Sequence, residues 1–119
     1  DSEIFDTDNA YNNSTYRFTV PSGKGGKYFI GLGSQFETNA AGSMSNFALR
    51  IRVNGSTVID ASDYPGGTTE NRIPYKFTSG ILVLSAGDYV EPAAYISVSS
   101  GTPTLTTGTN QFFGYKIIE

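Results

Sequence analysis

The sequence predicts an all-β protein. The chain carries eight Phe, eight Tyr and 14 Gly, lacks Trp, and is rich in Ser, Thr and Asn. Aromatic and β-branched residues favour strands, whereas Gly, Asn and Ser favour the turns between strands. No stretch shows the apolar periodicity of an amphipathic helix. About eight to ten short segments separated by turn residues predict a sandwich or a barrel. We expect residues 1–119 to form one domain, long enough to bury a core.

The first third of the chain contains two kinds of strand. Ile4 and Phe5 begin a short first strand. Residues 16–20 alternate apolar and polar side chains, which predicts a strand with one buried face, and Pro21 stops it. Residues 28–33, Tyr-Phe-Ile-Gly-Leu-Gly, are apolar on both faces. Both faces of this second strand should therefore be covered.

The middle of the chain predicts a loop followed by a hairpin. Residues 37–46 are mostly small and polar, which predicts the loop. Residues 47–53 alternate cleanly and predict a strand that is buried on one face. Asn54-Gly55 is a strong two-residue hairpin signal, because both residues tolerate positive φ. Residues 56–60 are the partner strand, and a second loop follows at 63–67.

Residues 73–84 predict an irregular edge followed by a strand. Pro74 lacks an N–H group, so residues 73–77 should be an edge strand or irregular. Residues 81–84, Ile-Leu-Val-Leu, are apolar on both faces. The tight turn that follows contains Asp88, and we expect its side chain to accept backbone N–H groups.

The last third of the chain predicts two strands separated by a loop. Residues 89–98 form a longer strand that Pro92 interrupts. Residues 101–110 are rich in threonine and predict the loop. Residues 112–118 are largely apolar on both faces. Because a sheet-on-sheet core covers only one face of each sheet, the second face of such a strand needs another cover. The simplest cover is a second copy of the chain, and the alternative is a large monomeric core whose edge strand is covered by loops.

Three blocks of sequence, taken in order, resemble the C1q-like module, the jelly-roll domain of C1q and tumour-necrosis-factor-type proteins. The first block combines Phe5-Asp6 and Tyr11-Asn12 with Phe18-Thr19-Val20-Pro21 and Gly26-Lys27-Tyr28-Phe29. The second block is the leucine-rich run at 81–84 leading into Gly87-Asp88-Tyr89-Val90. The third block is Phe112-Phe113-Gly114-Tyr115-Lys116-Ile117. The set spans nearly the whole chain, but a collagen stalk is missing and Lys116 interrupts a closing strand that is usually more apolar.

The resemblance implies a two-sheet antiparallel jelly roll of about ten short strands that assembles as a homotrimer. It places residues 28–33, 81–84 and 112–118 in the inner sheet and residues 47–53 in the outer sheet. The three inner segments are those that the residues themselves mark as apolar on both faces. The candidate trimer-interface residues are Phe29, Leu82, Leu84, Phe113, Tyr115 and Ile117.

The sequence does not fix which face of residues 112–118 meets the core. Strand alternation puts Phe112, Gly114 and Lys116 on one face and Phe113, Tyr115 and Ile117 on the other. Since Lys116 interrupts the first row, we expect the second row to be more continuously buried. The Lys116 amine should reach a rim, solvent or a carboxylate.

Composition excludes several kinds of chemistry. The chain has no Cys and no His, which rules out Cys- or His-ligated zinc sites and a Ser-His-Asp triad. Its carboxylates form no motif, so we expect no enzyme activity, no metal site and no cofactor. The net charge is −3 and the basic residues are scattered, so we expect no nucleic-acid partner. No apolar run approaches the ~18 residues of a membrane span.

We expect a structural or adhesive function. The Asn-Ser-Thr-rich start of the chain resembles C1q-like modules of bacteriophage and other microbial surface proteins. This suggests a capsid decoration or fibre-head protein on a virion surface, or another extracellular location, with other virion proteins or a host-surface glycan or protein as partners. The alternative is a secreted C1q- or tumour-necrosis-factor-type ligand that recognises a receptor or glycan, and a glycan-processing enzyme is a third hypothesis. Tyr64, beside Pro65 and glycines, is the candidate ligand-binding residue.

Overall fold

The fold is an antiparallel two-sheet sandwich. The computed structural model describes residues 8–38, 43–65 and 73–118. In these ranges it has nine strands and no helix, so no helix there has the length and apolar character to cross a bilayer. The strands are β1 (Tyr11–Asn12), β2 (Arg17–Thr19), β3 (Gly26–Thr38), β4 (Ser43–Val53), β5 (Ser56–Asp63), β6 (Tyr75–Leu84), β7 (Tyr89–Ser100), β8 (Pro103–Leu105) and β9 (Gln111–Ile118). The predicted fold class is confirmed, and the strand predicted at Ile4 and Phe5 lies outside the described residues.

The nine strands divide between two sheets. The β4 sheet has the order β1-β2-β7-β4-β5. The β3 sheet places β3 between β6 and β9, with β8 beside the last residues of β3. The three segments that are apolar on both faces are parts of β3, β6 and β9. They therefore share one sheet, and the alternating segment 47–53 belongs to the other.

The core lies between these two sheets. Alternation along β4 points Phe47, Leu49 and Ile51 inward, and each is almost fully buried. From β3, Ile30 and Phe36 meet them, and the Phe36 and Phe47 rings pack with their centroids 5.1 Å apart. Among the described residues, the buried hydrophobic cluster is Val20, Tyr28, Ile30, Leu32, Phe36, Met44, Phe47, Leu49, Ile51, Leu84 and Val90.

The predicted hairpin is confirmed in detail. Asn54 and Gly55 have φ values of 51° and 83°, the positive pair that a two-residue hairpin turn requires. Val53 consequently pairs with Ser56. The turn places the Asn54 side chain beside Asp88, where it contacts the turn between β6 and β7.

Two loop predictions are wrong in part. Strand β3 continues to Thr38, and β4 already begins at Ser43, so the loop predicted at 37–46 is shorter, and its residues 39–42 lie outside the described part. The reason is burial, since Thr38 and Met44 are both 1% exposed. The loop predicted at 101–110 contains β8, which pairs Leu105 with Phe36.

The two prolines had different outcomes. Strand β6 runs from Tyr75 to Leu84, starts directly after Pro74 and lies at the edge of its sheet, so the edge-strand expectation is confirmed, whereas the expected interruption at Pro92 is wrong. Strand β7 runs unbroken through Pro92, which pairs with Ile51 of β4. Since the pairing of β7 with β2 covers only Tyr89 and Val90, a residue without an N–H is tolerated at position 92.

Candidate functional site: an apolar sheet face

The outward side of the β3 sheet is covered by large apolar side chains. We call this surface the apolar face. Val83 is 78% exposed, Ile81 63% and Tyr115 60%. The face consists of Tyr75, Phe77, Ile81 and Val83 of β6, the half-buried Phe29 of β3, and Phe113, Tyr115 and Ile117 of β9. Within the β6 row, Ser79 is the polar member between Phe77 and Ile81. An apolar surface of this extent is unusual on a protein that stays monomeric in water.

Cross-strand register aligns the aromatic rings of this face. Phe29 pairs with Ile81 on one side and with Tyr115 on the other. The Phe29 and Tyr115 rings stack with centroids 5.4 Å apart, and Phe113 stacks on Phe77 at 6.1 Å. Stacked rings hold each other in place, so the face is an ordered surface rather than a set of independent side chains.

Two glycines of β3 make the stacking possible. Gly31 lies beneath the Phe113 ring, and a Cβ atom at position 31 would come 2.4 Å from Phe113 Cζ. Gly33 lies beneath Tyr75 in the same way. Because neither glycine has a side chain, the rings of β6 and β9 lean inward across the central strand and close the gap between the outer strands.

The alternation of β6 is inverted relative to an ordinary surface strand. Tyr75 and Phe77 point outward, while Lys76 and Thr78 point toward the other sheet. Lys76 Nζ lies 3.6 Å from Asp63 Oδ2 and 5.7 Å from the centre of the Phe47 ring. The chain thus places a cation at the margin of the core while aromatic rings face solvent. This arrangement is reasonable only if something covers those rings.

The outward side of the β4 sheet shows how this chain makes a solvated surface. Arg17 Nε lies 2.9 Å from Glu91 Oε2, and the Arg17 guanidinium lies 4.2 Å from the centre of the Tyr89 ring. Farther along the sheet, Arg50 Nε lies 2.9 Å from Asp60 Oδ2. The two outward surfaces therefore differ sharply, with paired charges on one and apolar rings on the other.

The charges on this second surface are stabilised locally. The hydrogen bond from the Ser62 hydroxyl, with a smaller contribution from Arg50, holds the pKa of Asp60 below its usual value. The hydrogen bond to Glu91 raises the pKa of the Arg17 guanidinium. Each group thus stays ionised at neutral pH. The surface therefore carries paired charges that are suited to contact with water.

The predicted interface residues divide into two groups. Phe29, Phe113 and Tyr115 lie together on the apolar face, with Ile117 beside them. The inclusion of Leu82 and Leu84 was wrong, because both face the core and Leu84 is only 3% exposed.

The sequence also missed four residues of β6 that form this face: Tyr75, Phe77, Ile81 and Val83. An Ile-Leu-Val-Leu run contains no polar residue to mark its outward side. The pairing of Phe29 with Ile81 identifies the outward side, and this pairing can be seen only in the structure.

The burial of the two faces of β9 differs from the expectation. Phe112 packs against the core, and Lys116 is half-buried on the same side of the strand. The row of Phe113, Tyr115 and Ile117 is exposed in the single chain, so the expectation that it is the more buried row is wrong for one copy. Lys116 lines an open groove, in agreement with the expected position at a rim.

Tyr64 and the carboxylates are the remaining candidates from the sequence. Tyr64 follows β5 and is 70% exposed, so its role in ligand binding stays a prediction. Across residues 8–38, 43–65 and 73–118, no cluster of three or more Asp, Glu, His or Cys side chains is arranged to hold a metal ion.

The comparisons with known proteins leave the apolar face as the main indication of function. The sequence matches no family model and no curated protein.

Proposed function

We propose that this protein is a non-catalytic module that forms a homotrimer through the apolar face. Its role is structural or adhesive, as a capsid decoration or fibre-head protein on a virion or microbial surface. The observation that carries the proposal is the row of exposed aromatic and aliphatic side chains on β6, β3 and β9.

The size of the apolar face supports association. If one large side chain in full has about 200 Å² of surface, the seven exposed residues of the face present roughly 750 Å² to solvent. The largest apolar patch on a typical monomer is about 300–600 Å². A standard protein interface takes about 800 Å² from each partner. The face is therefore too large for an ordinary monomer and large enough for one side of an interface.

The chemistry of the face favours a second copy as its partner. Lys27 is a charged residue on the outward side of β3, and it lies at the end of the strand opposite Val83. Apart from the uncharged Ser79, which pairs with Gly31, the central side chains of the face are aromatic or aliphatic. Identical surfaces of this kind meet without like-charge repulsion, and both lose apolar area to the contact.

We propose three copies per oligomer, rather than another number, because of the C1q-like resemblance. In support of it, the order of strands puts all three segments that are apolar on both faces into one sheet. The alternating β4 lies in the other sheet, whose outward surface carries ion pairs. Three copies joined through their β3 sheets would leave the three β4 sheets outside. Those surfaces and Tyr64 remain available to other virion proteins or to a host-surface glycan or protein.

The carboxylates support a non-catalytic function. A general acid needs a raised pKa, but hydrogen bonds from Asn54 and from the Ser85 N–H lower the pKa of Asp88. Asp60 is shifted in the same direction. Glu91 lies between Arg17 and Arg52, at 2.9 and 3.7 Å. These side chains are engaged in structural contacts of the fold.

The oligomer can be tested by light scattering with a matched pair of variants. The unmodified protein at micromolar concentration should have about three times the 12.8 kDa chain mass. Ile81→Glu should be monomeric, because burying an unpaired carboxylate in an apolar contact is strongly unfavourable. Val58→Glu places the same charge on an exposed position of β5 and should remain trimeric. A monodisperse monomer of the unmodified protein would overturn the proposal.

The alternative, a secreted ligand for a receptor or glycan, shares the fold and the trimer. The genes that neighbour the gene for this protein distinguish the virion role from the secreted-ligand role. Neighbours that encode capsid, tail or fibre proteins support the virion role. A gene set for secreted signalling proteins contradicts it.

A further inference from the structure

The turn between β4 and β5 carries the single Asn-Gly pair of the chain, Asn54-Gly55. In such a pair, the backbone nitrogen of the glycine can attack the side-chain amide carbon of the asparagine, because glycine has no Cβ to obstruct the approach. The new C–N bond closes a succinimide ring, and the amide nitrogen takes up the glycine proton and leaves as ammonia. Water then opens the ring to aspartate or isoaspartate. The reaction needs only water, and Asn54 is exposed to it.

Three hydrogen bonds hold Asn54 against the start of β7. Its backbone N–H donates to the Tyr89 carbonyl oxygen at 3.0 Å. Its side-chain Oδ1 accepts the Tyr89 N–H at 3.0 Å, and its Nδ2 donates to Asp88 Oδ1 at 2.8 Å. Both polar atoms of the carboxamide are therefore engaged by residues 88 and 89.

This arrangement keeps apart the two atoms that would have to react. Strand β4 lies between β7 and β5 in its sheet. The Asn54 side chain is directed toward Tyr89 of β7, whereas Gly55 leads the chain to β5 on the opposite side. The ring can close only after the carboxamide has turned toward the Gly55 nitrogen. That rotation breaks the hydrogen bonds to Asp88 and Tyr89.

The contact with Asp88 is the stronger of the two that the carboxamide makes, because an ionised acceptor strengthens a hydrogen bond. Asp88 Oδ2 also accepts the Ser85 N–H at 2.8 Å, and the Asp88 carbonyl oxygen accepts the Val20 N–H at 2.9 Å. Asp88 is thereby fixed to its own turn and to the residue that follows β2. Its carboxylate therefore holds the Asn54 amide in place while the hairpin fluctuates.

We propose that Asn54 is a deamidation site and that the Asp88 carboxylate protects it in the folded protein. Conversion to aspartate places a second carboxylate against that of Asp88, where an amide donor now lies. Isoaspartate adds a carbon to the main chain inside the turn that pairs Val53 with Ser56. Either product removes the contact between the hairpin and the turn that joins β6 to β7. The proposal holds whether or not the protein is a trimer.

Mass spectrometry of the tryptic peptide that begins at Val53 measures the conversion at neutral pH. The folded protein should deamidate at Asn54 at least about tenfold more slowly than the same chain unfolded in urea, because the reaction requires a local opening. Asp88→Ala, shown to be folded by circular dichroism, should deamidate about fivefold faster than the unmodified folded protein, because an exposed hydrogen bond to a charged group is lost.

The matched control for the rate is Asp63→Ala. It removes a carboxylate at the end of β5 that is distant from the turn, and its rate should equal that of the unmodified protein. Equal rates for Asp88→Ala and the unmodified protein would overturn the protective role of Asp88. If Asp88→Ala does not fold, the unmodified protein decides, since equal rates in the folded and urea-unfolded states also overturn the proposal.

A second measurement tests the consequence of the conversion. Asn54→Asp reproduces one product and should lower the midpoint of thermal unfolding by roughly 5 °C at neutral pH, because two carboxylates then face each other. Asn13→Asp adds the same charge on the exposed turn between β1 and β2 and should leave the midpoint unchanged. Equal midpoints for the two variants would contradict the proposed effect. Neither readout uses the oligomeric state, so failure here is distinguishable from failure of the trimer.

Discussion

At the scale of single residues, Gly31 and Gly33 determine the shape of the apolar face. They occupy successive outward positions of β3, and rings from the two neighbouring strands lie directly over them. Both glycines belong to the segment 28–33, which the sequence marks as apolar on both faces. The aromatic partners could not be predicted, because they come from positions about 40 and 80 residues later in the chain.

Gly31→Ala should weaken self-association more than folding. The new Cβ meets the far end of the Phe113 ring, which is only partly buried in one copy and can swing outward. We expect a cost to folding of about 1 kcal/mol, since the displaced group is a mobile ring. The displaced ring then disrupts the apolar face, through which we propose that copies associate. Light scattering against concentration, alongside urea unfolding, measures the two effects separately.

Gly114→Ala on β9 provides the contrasting case. Its Cβ would lie 2.8 Å from the backbone oxygen of Phe29, which cannot move without distorting β3. We expect a larger loss of stability, about 2–3 kcal/mol, from the resulting strain. If Gly31→Ala destabilises the fold as much as Gly114→Ala and leaves association intact, the assigned role of Gly31 is wrong.

Asp88 links two turns through its carboxylate. The backbone N–H of Ser85 donates to Asp88 Oδ2 at 2.8 Å, as the sequence predicted for this turn. The Asn54 amide donates to Asp88 Oδ1 at 2.8 Å, and Asn54 Oδ1 accepts the Tyr89 N–H at 3.0 Å. The contact with Asn54 joins the hairpin of β4 and β5 to the turn between β6 and β7. The sequence did not predict it, because the two turns are far apart along the chain.

Asp88→Ala should lower stability in a pH-dependent way. The pKa of Asp88 in the folded protein lies below its ordinary value of 3.8, so ionised Asp88 stabilises the fold above that value. This stabilisation is lost as the pH falls through the folded-state pKa. The thermal midpoint of Asp88→Ala should therefore be clearly lower at pH 7 and approach that of the unmodified protein near pH ~2.

The matched control for this prediction is Asp63→Ala. It removes a carboxylate whose distance to Lys76 is a longer 3.6 Å, and it should cost less at pH 7. A difference between Asp88→Ala and the unmodified protein that stays constant from pH 7 to pH ~2 would contradict the role of the ionised carboxylate.

At the scale of strands, the sequence was most informative where side chains alternate. The inward side of residues 47–53 followed directly from their pattern, and the Asn54-Gly55 hairpin set the pairing of Val53 with Ser56 and of Arg52 with Thr57. A bulge at Val58 shifts the register of the rest of β5, and the sequence did not indicate it. In the segments that are apolar on both faces, the pattern showed that both faces should be buried. It did not show which face meets the core. Leu82 and Leu84 were misplaced for this reason.

Strand β6 shows how a local pattern can mislead. Its Tyr-Lys-Phe-Thr start alternates, and an ordinary surface strand would bury the rings. The structure buries the other row, because Lys76 reaches Asp63 at the edge of the sandwich and the rings belong to the apolar face. A local sequence pattern reports which residues share a side, whereas tertiary pairing determines where that side points.

At the scale of the whole molecule, the two outward surfaces predict how association responds to salt. In the proposed trimer, association comes from burial of the apolar face, and the ion pairs of the β4 sheet lie on the opposite side. The trimer fraction should therefore stay nearly constant between about 0.05 and 1 M NaCl, conditions that strongly screen surface charge. Sedimentation velocity at fixed micromolar concentration measures it.

A trimer that dissociates as salt rises would indicate that the charged surface holds the copies together. Arg17→Ala is the control for that outcome, because it removes the Glu91 ion pair without touching the apolar face. We expect its sedimentation to match that of the unmodified protein at both salt concentrations.

The pairing of β3 with β9 also determines when the apolar face can form during synthesis. Phe29 and its stacking partner Tyr115 belong to adjacent strands but are separated by most of the chain. During synthesis on the ribosome, the first strand of this sheet exists long before the last one. The apolar face is completed only after residue 115 has left the exit tunnel and β9 has paired with β3. Until β9 has paired with β3, a nascent chain presents only an unfinished surface to its neighbours.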